Sequence, residues 1–176
     1  MEHAMNHFEL FSLLPSYQLD LAGLADSYRE LQQQYHPDKF AAETSQRQAQ
    51  VMQKAAQIND AYQTLKDPLS RAQYLLSLQG LELGGEQQTI NDVAFLMSQM
   101  ELREQLAEIE QAADPEEAID DFSKLLKQQR SDLSSSFEKA YNEQNFELAA
   151  DDVRKLKFYA RLQQQLLQLE EKILDY

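Results

Sequence analysis

Apolar residues recur along most of this 176-residue chain at alternating steps of three and four, the period of an amphipathic helix. The first clear stripe is Leu21, Leu24, Tyr28, Leu31 and Tyr35, with Asp20 placed to cap its start. Pro37 stops it, because proline has no N–H to donate and biases His36 away from helical dihedrals. A second stripe, Val51, Ala55, Ile58, Tyr62 and Leu65, predicts a helix from about Ala41 to Lys66 that ends at Pro68. Two striped helices joined by a short loop predict an antiparallel hairpin with His36, Pro37 and Asp38 at its exposed tip. Phe8, Phe11 and Leu14 predict a short first helix or turn closed by Pro15, and "SRAQYLLSL" predicts another helix, packed through Tyr74, Leu75 and Leu78. The opening "MEHAM" reads as an irregular leader.

Three of the four glycines fall in or beside "QGLELGGEQQTIND", which predicts a boundary. The expected organisation is residues 1–79 as one helical domain, 80–90 as a linker and 91–176 as a C-terminal three-helix bundle, all-α throughout. The bundle helices are expected at about 92–112, 115–142 and 145–175, with Asn91 or Asp92 capping the first and Pro115 opening the second. "SDLSSS" at 131–136, a poor helix former, predicts a bend.

The first bundle helix carries two apolar faces. Phe95, Leu102, Leu106, Ile109 and Ala113 form one stripe; Val93, Leu96, Met97 and Met100 point the other way and run into Glu101, Glu104 and Glu108. Phe158, about 200° round the last helix from its core line, is expected to extend the second face. That face either packs on the N-terminal domain or binds a partner, and the pattern leaves both open.

Composition narrows the chemistry. A net charge of −14 disfavours nucleic acid and anionic membranes, and residues 81–176 carry most of it, with 10 Lys/Arg against 21 Asp/Glu. Without cysteine there is no thiol nucleophile, disulfide or thiolate metal site. His3, His7 and His36 lack metal-ligand spacing, and His36 with Asp38 has no nucleophile or phosphate loop beside it, so neither a metal, a cofactor nor catalysis is expected. The "QQQ" runs at 32–34 and 163–165 read as solvated helix faces. No apolar run reaches membrane-span length, which makes a soluble cytoplasmic protein the expectation.

With hairpin and tip in place, the first 75 or so residues resemble a J-domain, the module by which DnaJ-type co-chaperones engage DnaK-type chaperones. "YHPDKF" (35–40), the stripe before it and "INDAYQTLKDPLSRAQYL" (58–75) carry the resemblance. "AFLMSQMELREQLAEIEQA" (94–112), "DDVRKLKFYARL" (151–162) and "LEEKILDY" (169–176) are similar to the C-terminal bundle of the HscB family, the J-proteins of iron–sulfur cluster assembly. The resemblance implies a non-enzymatic co-chaperone that delivers an IscU-type cluster scaffold to an HscA-type chaperone and stimulates ATP hydrolysis there. It implies chaperone contact through His36, Pro37 and Asp38, aided by Arg29 and Lys39, and scaffold contact through Leu96, Met97, Met100, Glu101, Glu104, Glu108 and Phe158. The absence of a presequence and of N-terminal cysteine pairs implies a bacterial cytoplasmic version. The chain departs from the usual J-domain in having a Gln-rich second helix with Arg29 as its one base. A J-domain protein with another client, and a helical adaptor with an inert tripeptide, are the rival functions.

Overall fold

The computed structural model describes residues 4–83 and 92–175. The chain divides into two compact units, Met1–Gln79 and Gly80–Tyr176. Among the described residues all regular structure is helical. The leader's first three residues, most of the expected linker and Asn91 lie outside the described residues.

The N-terminal unit contains α1 (His7–Leu10), α2 (Leu21–Gln34), α3 (Ser45–Lys66) and α4 (Pro68–Leu78), with a 3₁₀ turn at Pro37–Phe40. Each main helix begins where a side chain can take an orphan amide. Asp20 accepts from Gly23 N–H, Thr44 from Arg47 N–H, and Asp67 from Ser70 N–H at 2.8 Å, with Pro68 at the first position of α4. α2 and α3 run antiparallel: Tyr28 stacks on Tyr62 with centroids 3.9 Å apart and donates its hydroxyl to Asn59, while Tyr35 and His36 lie beside Ala55. Leu24, Val51, Ile58, Ala61 and Leu65 fill the space between, closed off by Phe8 from α1 and Leu75 and Leu76 from α4.

Three expectations are corrected here. α1, as short as expected, is ended at Leu10 by the left-handed turn at Ser12 (φ 57°) and not by Pro15, so Leu14 is 86% exposed rather than packed. α3 starts at Ser45, since Thr44 caps it and the residues after Pro37 spend a turn in 3₁₀ geometry. In α4 the buried pair is Leu75 and Leu76, with Leu78 at the surface. The surprise is Arg71: buried, its guanidinium lies 5.3 Å from the Tyr17 ring and Nη1 donates to Leu65 O at 2.7 Å, tying the start of α4 to the end of α3.

The C-terminal unit is α5 (Val93–Glu108) with a 3₁₀ extension at Ile109–Gln111, then α6 (Pro115–Asn142) and α7 (Phe146–Leu174). Asp92, Asp114 and Asn145 cap the three starts. α6 ends in a Schellman turn, with Asn145 N–H on Ala140 O at 2.8 Å and Gln144 N–H on Tyr141 O. Gln144 takes the left-handed position (φ 60°) that glycine would occupy more cheaply. The core joins Phe95, Leu102 and Ile109 of α5 and its extension to Ile119, Phe122 and Leu126 of α6 and Tyr159, Leu162 and Leu166 of α7. Ala113 is exposed, because α5 ends at Glu108 and its stripe does not continue. The expected bend at 131–136 is absent: α6 is continuous, and Ser136 turns its hydroxyl across to α7, donating to Asp152 at 2.6 Å.

Asp152 is almost fully buried, and desolvation raises its carboxyl above the ordinary value, against the opposing pull of Ser136 and Lys155. A raised folded-state pKa adds stability at low pH that is lost as pH rises through it, because the ionised carboxylate is the form that burial penalises. Asp152→Asn, which keeps an acceptor for Ser136, is therefore expected to raise the melting temperature of the intact chain at pH 7 by about 4 °C, roughly 1 kcal/mol. The difference from wild type should shrink as pH is lowered through the carboxyl's titration; a lower melting temperature for the variant at pH 7 would show that the Lys155 attraction outweighs burial.

Candidate partner-binding surfaces

The tripeptide is rigid in its backbone and open in its side chains. His36 acts as N-cap of the 3₁₀ turn, its Nδ1 accepting from Asp38 N–H at 3.2 Å, and Lys39 N–H closes on His36 O at 3.0 Å. With Nδ1 used as an acceptor, Nε2 is the ring nitrogen left to donate outward. Pro37 sits at the first position of the turn, where its fixed φ costs nothing and its missing N–H is not needed. Asp38 is 93% exposed, with Oδ2 3.7 Å from His36 Nδ1, too far for a hydrogen bond. Its carboxylate is free to meet a cation from outside.

Behind the tip stands a residue that pattern reading missed. Gln48 of α3 donates to the carbonyls of Phe40 and Ala41, both at 3.1 Å, and of Glu43 at 3.3 Å, while the Arg47 guanidinium lies 5.5 Å from the Phe40 ring. These contacts pin the far side of the loop to α3. A polar residue among other glutamines gives no sequence signal for such a role. Beside the tip is a cleft of about 400 Å³ lined by Arg29, Gln32, Gln33, Tyr35, His36, Pro37 and Ala55. Arg29 and Lys39 both lie at this end of the unit, but Arg29 is ion-paired with Asp26 one turn back.

The second surface is on α5. Leu96 is 40% exposed, Met97 58% and Met100 71%, with Val93 beside them, and Glu101, Glu104 and Glu108 continue the exposed side. The opposite stripe is buried through Phe95 and Leu102. At the N-terminus of α5 the Asp92 carboxylate caps Phe95 N–H and takes Lys155 Nζ of α7 at 2.9 Å; the hydrogen bond from Lys155 is the main reason its carboxyl lies below the ordinary value. The same ammonium lies 5.4 Å from the Phe95 ring, so one lysine fixes where α5 begins.

Phe158 does not join this surface. It is 2% exposed and meets Phe95 edge-on with centroids 5.6 Å apart. The helical wheel misplaced it by assuming that α7 buries a single stripe. α7 is packed on two sides, so a residue 200° from one core line falls on a second, against α5. Phe158 supports the α5 face from below, with Arg103 over its ring at 5.5 Å.

Among the described residues no group of three His, Cys, Asp or Glu is arranged to hold a metal, and no helix is long and apolar enough to cross a membrane.

Comparison with known proteins covers both units. Residues 7–74 match the DnaJ domain, and residues 91–167 match the HSCB C-terminal oligomerisation domain. The chain is 48% identical over 179 residues to a co-chaperone protein HscB homolog of Shewanella sp. (strain MR-4), covering 97% of this chain and 100% of that one. It is 51% identical over 171 residues to the homolog of Vibrio parahaemolyticus serotype O3:K6, covering 97% and 99%. The structure of chaperone HscB from Vibrio cholerae superposes with a TM-score of 0.87 at 43% identity, covering 96% of this chain and 99% of that one. A J-domain implies a DnaK-type chaperone as partner, and with both halves of the architecture matched over nearly its full length, the chain belongs to the HscB family of co-chaperones.

Proposed function

We propose that this protein stimulates the ATPase of an HscA-type chaperone in the cytoplasm and delivers an IscU-type iron–sulfur scaffold to it, turning over no substrate itself. The observation that carries this reading is the tip of the hairpin: a backbone held by His36, Pro37 and Gln48 presents Asp38 almost fully to solvent. Such a loop loses little entropy on docking, and its carboxylate suits an arginine on the chaperone, where a charge-assisted pair is stronger than a neutral one. Arg29 and Lys39 flank that contact. Leu96, Met97 and Met100, bordered by Glu101, Glu104 and Glu108, suit a scaffold surface that is apolar at its centre and basic at its edge. Carrying both sites on one chain raises the effective concentration of scaffold at the chaperone. Phe158 enters this scheme as the support of the α5 face rather than as a contact.

Single-turnover ATP hydrolysis by the chaperone, with and without scaffold, tests the first surface. Wild type is expected to accelerate hydrolysis, and scaffold to accelerate it further. His36→Gln or Asp38→Asn should abolish the stimulation while moving the melting temperature by less than about 2 °C, because exposed side chains contribute little to stability. An early-melting variant would make the tripeptide structural.

Calorimetric titration with scaffold tests the second. Leu96→Ala with Met97→Ala should weaken binding at least tenfold and leave the fold intact. Phe158→Ala should instead destabilise the C-terminal unit by about 3–5 kcal/mol, the usual cost of emptying a buried phenylalanine site. Normal binding by the double variant would remove α5 from the interface.

A further inference from the structure

Where α5 gives way to its 3₁₀ extension and the chain turns into α6, the packing leaves a groove of about 610 Å³. Its floor is Ile109 and Phe122, its far wall Leu125, and the small side chains of Ala112 and Ala118 keep it open. Glu108 and Asp121 stand at its rim. Lys124, the nearest base in sequence to Asp121, is drawn to Asp120 at 2.7 Å. Gln105 and Gln111 complete the lining, so the groove is mainly apolar inside and acidic at the lip, close to the chemistry of the Leu96–Met100 face with its acids.

Size connects the two. A lasting protein–protein interface buries about 800 Å² per partner and uses roughly 20–30 residues a side, a patch about 30 Å across. The exposed apolar side chains of α5 are far fewer than that. From Met100 to Glu108 is about 12 Å along the helix, so a standard footprint centred on Met100 reaches the groove. Glu108 belongs to both, which makes the surface continuous from the α5 face to the rim.

We infer that the groove between α5 and α6 is a second subsite for the protein partner held on α5, taking one apolar side chain of that partner with a lysine or arginine beside it, received by Glu108 and Asp121. The volume falls in the range of pockets that enclose small organic groups. The chemistry of floor and rim selects the pair: an apolar group gains by leaving water, and a neighbouring cation gains from the two carboxylates. The subsite rests on the scaffold-binding reading and adds specificity to it, since a partner with only an apolar patch would satisfy α5 and leave the rim unpaired.

The test is calorimetric titration of the full-length chain with the purified IscU-type scaffold. Leu125→Ser removes the wall of the groove and Asp121→Lys reverses its rim; neither touches the Leu96–Met100 face. Each is expected to raise Kd at least threefold and the pair about tenfold, with Asp121→Lys also flattening the dependence of Kd on salt. Should Leu125→Ser melt early, Asp121→Lys, a change at an exposed position, carries the test. Wild-type affinity in both groove variants, with binding lost in Leu96→Ala/Met97→Ala, would overturn the subsite and leave the α5 reading standing. Wild-type affinity in the α5 double variant, or no binding by wild type, would overturn the α5 reading and the subsite with it.

Discussion

Two long helices can bury facing stripes only where the chain between them leaves the helix, and Pro37 enforces that between α2 and α3. Its ring removes a donor and restrains His36, so α2 ends at Gln34 and the chain enters a 3₁₀ turn that Gln48 and Arg47 tie back to α3. The stop that permits the hairpin also creates the exposed tripeptide. The α6–α7 hairpin solves the same problem with a Schellman turn at Gln144, and there the connection is compact and its backbone groups are taken up by the turn itself. The difference between the two turns is one of backbone chemistry: a proline-led 3₁₀ turn displays side chains, while a left-handed cap consumes backbone groups and moves straight into the next helix.

In the C-terminal unit the corresponding constraint is that α5 must bury one face firmly enough to leave the other exposed. Phe95 against Phe158, with Lys155 bridging from Asp92 to the Phe95 ring, provides that anchorage. An edge-to-face aromatic pair is worth about 0.5–1.5 kcal/mol beyond its buried area, and it also fixes rotation about the helix axis. Fixed rotation is what turns Leu96, Met97 and Met100 from surplus apolar residues into a defined patch. Methionine suits the place, because its unbranched side chain adapts to a partner at small conformational cost.

Local rules were legible in the sequence and cross-helix ones were not. Asp20 and Asp92 cap the helices they precede, and Pro37, Pro68 and Pro115 stand at element ends, because capping and proline sterics act within four residues; Pro15 lies beyond the end of α1 and closes nothing. The all-α class and the faces of α5 followed from periodicity. Phe158, Leu14 and Leu78 were misread because burial depends on which neighbour covers a face, and a wheel drawn for one helix contains no neighbour. The serines at 131–136 stay helical for a related reason: α6 packs along α7, and tertiary packing outweighs a few tenths of a kcal/mol per residue of propensity. Gln48, Arg71 and Asp152 had no signature at all. Each is a polar residue in a helical run whose role is set by a carbonyl or hydroxyl brought to it from another element.

The distribution of charge gives these surfaces a common logic. The C-terminal half holds most of the chain's negative charge, yet the apolar patch on α5 and the floor of the neighbouring groove carry none, and the acids stand at their borders. Exposed methionine and leucine side chains invite self-association, and a surrounding net negative charge opposes it by repelling another copy of the same chain. For the partner proposed above, if basic at its edge, the same border would act from beyond contact distance and speed association more than it strengthens the final complex. On the proposed reading one arrangement serves two ends: acids at the border oppose the meeting of two like-charged patches, and would draw a complementary partner to the position where burying the apolar groups holds it.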